Sequence, residues 1–459
     1  MSLDLSRRAF LQRASALSVA GAATPFVLNL AAIGEAAAST ASDYKAIVCV
    51  FMYGGNDYAN TLVPADSANY AIYNAARPGL GYAQASLVNT LLTPTVAPAG
   101  GQQYALAPEL APLMPIFNAG KMAVVLNVGT LVQPTTKAQY VAKSVQLPPK
   151  LLSHNDQQSY WQSSSPEGAA SGWGGRMGDL FQSGNGTAAL TCISPNGNAV
   201  FLSGKSAVQY VVTPSGPIAL NAATMLRGSS AAAAVLTNLI QTPVNHLFET
   251  ELTRVSGRAI NLYSQVTTAL TSAPVTNTVF PAATDPSSTL GTQLKEVARL
   301  ISVGSQLGAK RQVFFVSTSR FDTHDGLVSI HPVLMSNLAN ALRAFYDTTV
   351  ELGVANQVTT FTASDFGRAL TANNDGTDHG WGSMHFVLGG AVNGKAYYGT
   401  PPVLADNGPD DIGQGRLLPS TSVDQYAATL ASWFGVSATD LPTVLPNIGN
   451  YTTKNLGFV

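Results

Sequence analysis

Charged side chains make up only 11% of the 459 residues, so the places where acids and histidines gather stand out. Asp57 closes Tyr53-Gly54-Gly55-Asn56-Asp57, and Asp322 and His324 fall in Phe321-Asp322-Thr323-His324. Asp365 follows the run Thr359–Ser364, and a glycine-rich stretch, Gly376-Thr377-Asp378-His379-Gly380-Trp381-Gly382, lies close behind it. Carboxylates brought to one crevice repel and raise one another's pKa, and a bound cation is the usual way to hold them ionised together. Oxygens from Asp57, Asp322, Asp365 and Asp378 with imidazoles from His324 and His379 suit zinc or manganese. Calcium would lean more on the oxygens. The expectation is a site for one or two divalent ions. Singly, each residue has a plainer reading: Asp322 or Asp365 as a helix N-cap, Asp57 as turn chemistry, His379 as a structural hydrogen bonder. Their convergence carries the metal reading.

A second polar cluster is Ser153-His154-Asn155-Asp156-Gln157-Gln158, followed by Tyr160-Trp161 and by Ser171-Gly172-Trp173-Gly174-Gly175-Arg176. His154, Asp156 and Arg176 there fit a substrate wall that receives an anionic group. The alternative is a Trp-anchored loop whose polar groups satisfy one another. His385 begins an apolar run yet lies near the Asp378-His379 loop, so it stands between a substrate contact and a core residue. His331, just before Pro332, reads as a helix-start residue, and His246 as a structural one.

These residues need a scaffold, and the apolar pattern supplies it. Lys45–Met52, Met122–Val128, Gln312–Ser317, Val358–Ala363 and the stretch around Phe386–Leu388 read as buried strands. Leu334, Leu338, Leu342 and Phe345 recur at helical spacing, which predicts a helix from Pro332 to Leu352. Strand, helix and strand in that order form a βαβ unit. The fold class is therefore α/β, a mostly parallel sheet with helices on both faces. Asp57, Asp322 and Asp365 then lie beyond the carboxyl ends of strands, where open α/β sheets place their ligand crevice. Leu236–Leu270 and Leu290–Leu307 read as helices inside a largely helical insertion, about residues 205–310, of a single domain spanning 39–459. Ser229–Val235 reads as the start of the first of them, Thr271–Ser288 as an exposed loop, and Val423–Phe434 as a last helix packed on the sheet.

The N-terminus carries an address. Ser6-Arg7-Arg8-Ala9-Phe10-Leu11, the apolar stretch Ala14–Ile33 and the small residues Ala36-Ala37-Ala38 form a twin-arginine signal with a cleavage site over residues 1–38. Ser15, Ser18, Pro25 and Asn29 make the stretch a poor membrane span. The expectation is export by the twin-arginine translocase to the periplasm or beyond, with no stable membrane span after cleavage. A formal charge of −1 offers neither a footprint for nucleic acid nor a polybasic membrane patch. Cys49 and Cys192 are the only cysteines, too few for a disulfide framework; Cys49 reads as a buried, inert thiol. There is no G-x-S-x-G, Gly204-Lys205-Ser206 lacks the first glycine of a P-loop, and H-E-x-x-H is absent, which disfavours serine hydrolases, nucleotide triphosphatases and zincin proteases.

Taken in order, six stretches resemble one group of bacterial exported proteins, domain of unknown function 1501. They are Gly54–Pro64, Ser153–Asp156, Gly172–Arg176, Phe321–His324, Ser364-Asp365-Phe366-Gly367-Arg368 and Gly376–Gly382. That group is similar, more distantly, to the alkaline phosphatase and sulfatase superfamily of metal-dependent ester hydrolases. The resemblance implies Asp57 as a metal ligand and Thr61 as the candidate nucleophile. It implies Asp322 with His324 on one metal, Asp365 on another, and His379 completing the set. Arg368 or Arg176 would steady the anionic group. Phe366 departs from the pattern, standing where the superfamily usually has histidine. The reading is an exported hydrolase of phosphate or sulfate esters, on a small molecule or a polymer. The alternatives are a non-catalytic protein that binds a surface polymer or aids envelope assembly, and a protein whose metal is structural.

Overall fold

The computed structural model describes residues 43–98, 100–242, 247–405 and 407–459. The expected export signal, residues 1–38, and His246 lie outside the described residues. Five strands form the middle of the sheet: β1 (Lys45–Met52), β2 (Met122–Gly129), β3 (Arg311–Thr318), β4 (Val358–Ser364) and β5 (Ser383–Gly389). Their spatial order is β2-β5-β4-β1-β3. Ala396–Tyr398 extends the β2 edge, and Cys192–Ser194, Tyr210–Thr213 and Gly216–Pro217 extend the β3 edge. β1 pairs in parallel with both β3 and β4, while β5 runs antiparallel to β4 and β2. The link between β4 and β5 holds a small hairpin, Arg368–Ala372 with Thr377–His379, in place of a crossover helix, so the chain returns antiparallel.

Side chains alternate across a strand, and β1 shows both faces filled. Ala46, Val48, Val50 and Met52 join one core cluster, and Ile47, Cys49 and Phe51 join another. The main helices are α1 (His154–Ser163), α2 (Trp173–Phe181), α3 (Ser230–Gln241), α4 (Leu247–Thr271), α5 (Leu290–Ser302), α6 (Leu327–Glu351) and α7 (Val423–Phe434). α5 and α6 cover the first face through Leu294, Val297, Leu334, Leu338 and Leu342. α2 and α7 cover the second through Trp173, Met177, Tyr426 and Leu430. The fold is thus a mostly parallel α/β sheet covered on both sides.

Local chemistry explains where elements differ from expectation. α6 begins at Leu327, so Pro332 sits in its second turn, where it costs a single ladder bond. Leu236–Leu270 is two helices. α3, capped by Ser229, ends at Gln241, and Thr242 before Pro243 takes an extended conformation, as a residue preceding proline prefers. Both cysteines are free and buried, and burial pushes the Cys192 thiol up to about 12, which keeps it inert. Among the described residues no helix is long and apolar enough to cross a membrane.

Candidate metal centre

The carboxyl ends of β1, β3 and β4 lie side by side, and the loops that leave them build the site. Asp365 is the first residue beyond β4, and its Oδ2 accepts from the Gly54 amide at 3.2 Å. Gly54 has φ +119°, and a Cβ there would fall 2.3 Å from the Asp322 nitrogen; only glycine fits. α1 presents His154 and Gln158, one helical turn apart and on one face, to the same oxygen. His154 Nδ1 is 2.6 Å and Gln158 Nε2 is 2.8 Å from Asp365 Oδ2.

Asp322, on the loop after β3, is fixed by Arg368, which donates to its Oδ1 and to the carbonyls of Gly54 and Thr377. Arg368 stands opposite His379 across the small hairpin. Around Asp322 three imidazoles converge. His154 Nε2 is 3.4 Å from its Oδ2, and His324 Nε2 and His379 Nε2 are 3.2 and 3.3 Å from its Oδ1. The last two nitrogens are 2.9 Å apart.

Each ring is held by its other nitrogen. His154 Nδ1 meets Asp365, His379 Nδ1 meets the Leu152 carbonyl at 2.7 Å, and His324 Nδ1 faces Asp378 at 3.3 Å. Acceptors at Nδ1 favour a proton there, which leaves each Nε2 on the side of Asp322, the nitrogen that carries the lone pair when the ring is neutral. His154, Asp322 and His379 each offer a ligand atom within 4.8 Å of the other two. His324 Nε2 stands 3.2 Å from Asp322 Oδ1 and 2.9 Å from His379 Nε2. A cation among them would relieve the crowding of donors. Four tetrahedral ligands at zinc-like bond lengths stand about 3.4 Å apart. His154 Nε2 is buried with no hydrogen-bond partner. These residues fit a divalent ion, and imidazoles anchored through carboxylates and carbonyls are the usual outer arrangement of such a site. The nitrogen-rich set suits zinc better than calcium.

Burial raises the Asp322 pKa, but the Arg368 hydrogen bond and charge, with His154 and His324, outweigh it and leave the carboxyl below its usual range. The hydrogen bond to Asp365 raises His154, while burial lowers His379.

A family model described as protein of unknown function (DUF1501) matches residues 44–441. The chain belongs to that family. Comparison with curated proteins gives no match. Among solved structures the chain is similar to the lipoteichoic acid synthase LtaP from Listeria monocytogenes, with 9% identity and a TM-score of 0.36 over 90% of this chain and 77% of that one. It is also similar to the PsFucS1 sulfatase from Pseudoalteromonas sp., with 9% identity and a TM-score of 0.34 over 93% of this chain and 73% of that one.

Several site residues expected from the sequence stand elsewhere or act differently. His154, expected on the substrate side, is one of the converging donors. Asp365 and Asp378, expected as metal ligands, each meet a histidine Nδ1, and Asp365 Oδ1 is buried without a hydrogen-bond partner. Asp57 is fully buried, and its oxygens take Arg77 at 2.8 Å, the Asn60 amide at 3.0 Å and the Thr377 hydroxyl at 3.1 Å. Already neutralised, it is not drawn to the cluster. Thr61 is buried behind it, donating to the Asp57 carbonyl at 2.7 Å beside His331 and Met335. Arg368 is wholly buried, so its donors position Asp322 and do not face solvent.

Asp156 points away from the site, because its place on α1 is about half a turn from His154; it meets Ser153 and Lys150. Arg176 is consumed by the carbonyls of Val444, Ser171 and Ser163, which is the Trp-anchored alternative. His385 is buried against Trp161 and Tyr426, and burial drops its pKa to about 3. Phe366 packs on His154 and His379 at 4.9 and 4.7 Å. Gln158 and Arg77 were missed by sequence reasoning. The His154-Gln158 spacing was the available signal for the first; no motif marks the second.

Proposed function

We propose that the protein is an exported, metal-dependent hydrolase of phosphate or sulfate esters. The observation that carries this reading is the convergence of His154, His324 and His379 Nε2 on Asp322, with His154 Nε2 buried and unpartnered. A divalent ion held there supplies Lewis acidity toward an ester oxygen and lowers the pKa of a water to near neutrality. The chain's own part is positioning. Asp365, Asp378 and the Leu152 carbonyl hold the three Nδ1 protons, Arg368 keeps Asp322 ionised, and Phe366 limits the swing of two rings. With Thr61 buried away from the cluster, water is the attacking group in this reading.

Turnover of 4-nitrophenyl phosphate or 4-nitrophenyl sulfate should stop on chelation and return with added zinc or manganese. Turnover indifferent to a chelator would remove the reading. The position of Thr61 also favours a second one, a structural metal in a protein that binds a surface polymer or assists envelope assembly. In that case chelation lowers the melting temperature while no ester is turned over.

A further inference from the structure

A cavity of ≈ 320 Å³ opens at the carboxyl ends of β1 and β3. Its lining comes within two residues of the candidate metal cluster along the chain. Arg320 on its rim precedes Asp322 by two residues, which holds their Cα atoms within about 7 Å. Tyr53 in its wall accepts the Phe321 amide on its carbonyl at 3.1 Å, and the next residue, Gly54, holds Asp365.

The lining is unusually rich in short polar groups. Ser288, Thr318 and Ser319 line it, and their hydroxyls make no hydrogen bond within the described chain. Asn196 donates to Ser317 Oγ at 2.7 Å, which leaves its carbonyl oxygen to accept. Arg320 and Asp285 form a fixed pair at 2.5 Å, so the cavity has no net charge for a second anion. An apolar guest would strand these groups without partners, at a desolvation cost. Their complement is a neutral ligand with many hydroxyls, each both donor and acceptor.

We propose that this cavity takes the sugar or polyol part of an ester whose anionic group sits at the metal cluster. The proposal rests on the ester-hydrolase reading but has a test of its own. Wild type is compared with Ser319→Trp and Ser288→Trp, each of which puts a bulky side chain on a lining position, on glucose 6-phosphate and glucose 6-sulfate against the 4-nitrophenyl esters. Wild type should favour the sugar esters, and both variants should lower the ratio of the two kcat/KM values about tenfold. An unchanged ratio would overturn the sugar subsite and leave the hydrolase reading standing. If wild type turns over none of these esters, the hydrolase reading fails, and saturation-transfer NMR with glucose, galactose and glycerol decides the subsite. Transfer to a polyol that both tryptophan variants abolish supports it; no transfer to any of the three overturns it.

Discussion

His154 Nδ1 lies 2.6 Å from Asp365 Oδ2, and this contact joins the end of β4 to the first turn of α1 across 211 residues of chain. It fixes which nitrogen of His154 carries the proton, and so aims the unpartnered Nε2 at Asp322. In the proposed metal centre Asp365 therefore acts through His154.

Replacing Asp365 by Asn keeps the shape but removes the charge that orients the ring. The expected result is a loss of zinc affinity of about 10–100-fold, measured by competition with a chromophoric chelator. An unchanged affinity would mean that the contact does not prepare the ligand.

The Asp57–Arg77 pair is buried completely, and Arg77 also bonds the Ala369 and Leu370 carbonyls of the hairpin that carries Arg368 and His379. Arg77→Ala leaves the Asp57 carboxylate buried and uncompensated, at a cost of about 3–5 kcal/mol, read from the urea midpoint. Burial raises the Asp57 pKa, but Arg77 outweighs it and the group ends below its usual value. A depressed folded pKa means that its stabilisation is present above the unfolded value, about 3.9, and is lost as pH falls through the folded one.

Asp424 gives the opposite sign. Burial at the start of α7 raises its pKa to about 6, so the folded state holds the proton longer than the unfolded chain. Stability should fall as pH rises from about 4 to about 6, by about 3 kcal/mol in all. Asp424→Asn should flatten that part of the denaturation profile; an equal slope in both proteins would rule out Asp424 as its source.

Thr61→Val removes the hydroxyl bonds to the Asp57 carbonyl and Asn56. It should cost about 1 kcal/mol of stability and leave metal content and ester turnover within a few-fold of wild type. Abolished turnover with metal retained would restore Thr61 as the nucleophile.

The scaffold was readable because its signals are local. β1 is a continuous apolar run, and α7 is bracketed by the Ser422–Gln425 capping box and Gly435. The acids at strand ends were readable for the same reason: strand and acid are neighbours in sequence. Roles within the site were less so. Asp57 and Asp322 occupy equivalent strand-end positions, and what separates them is Arg77, placed beside Asp57 only by the folded chain. Likewise nothing next to His154 in sequence reveals Asp365 as its partner. β5 is buried on both faces, so the position of His385 in the strand did not tell core from crevice.

Metal content tests the central claim most directly. The protein, purified without chelator, is compared with His154→Ala and His379→Ala by elemental analysis, with circular dichroism to show that each is folded. Close to one zinc or manganese per chain in wild type, and little in either folded variant, is the expected result. A folded wild-type protein that holds no divalent ion and takes up none on titration would contradict the metal centre and the function built on it.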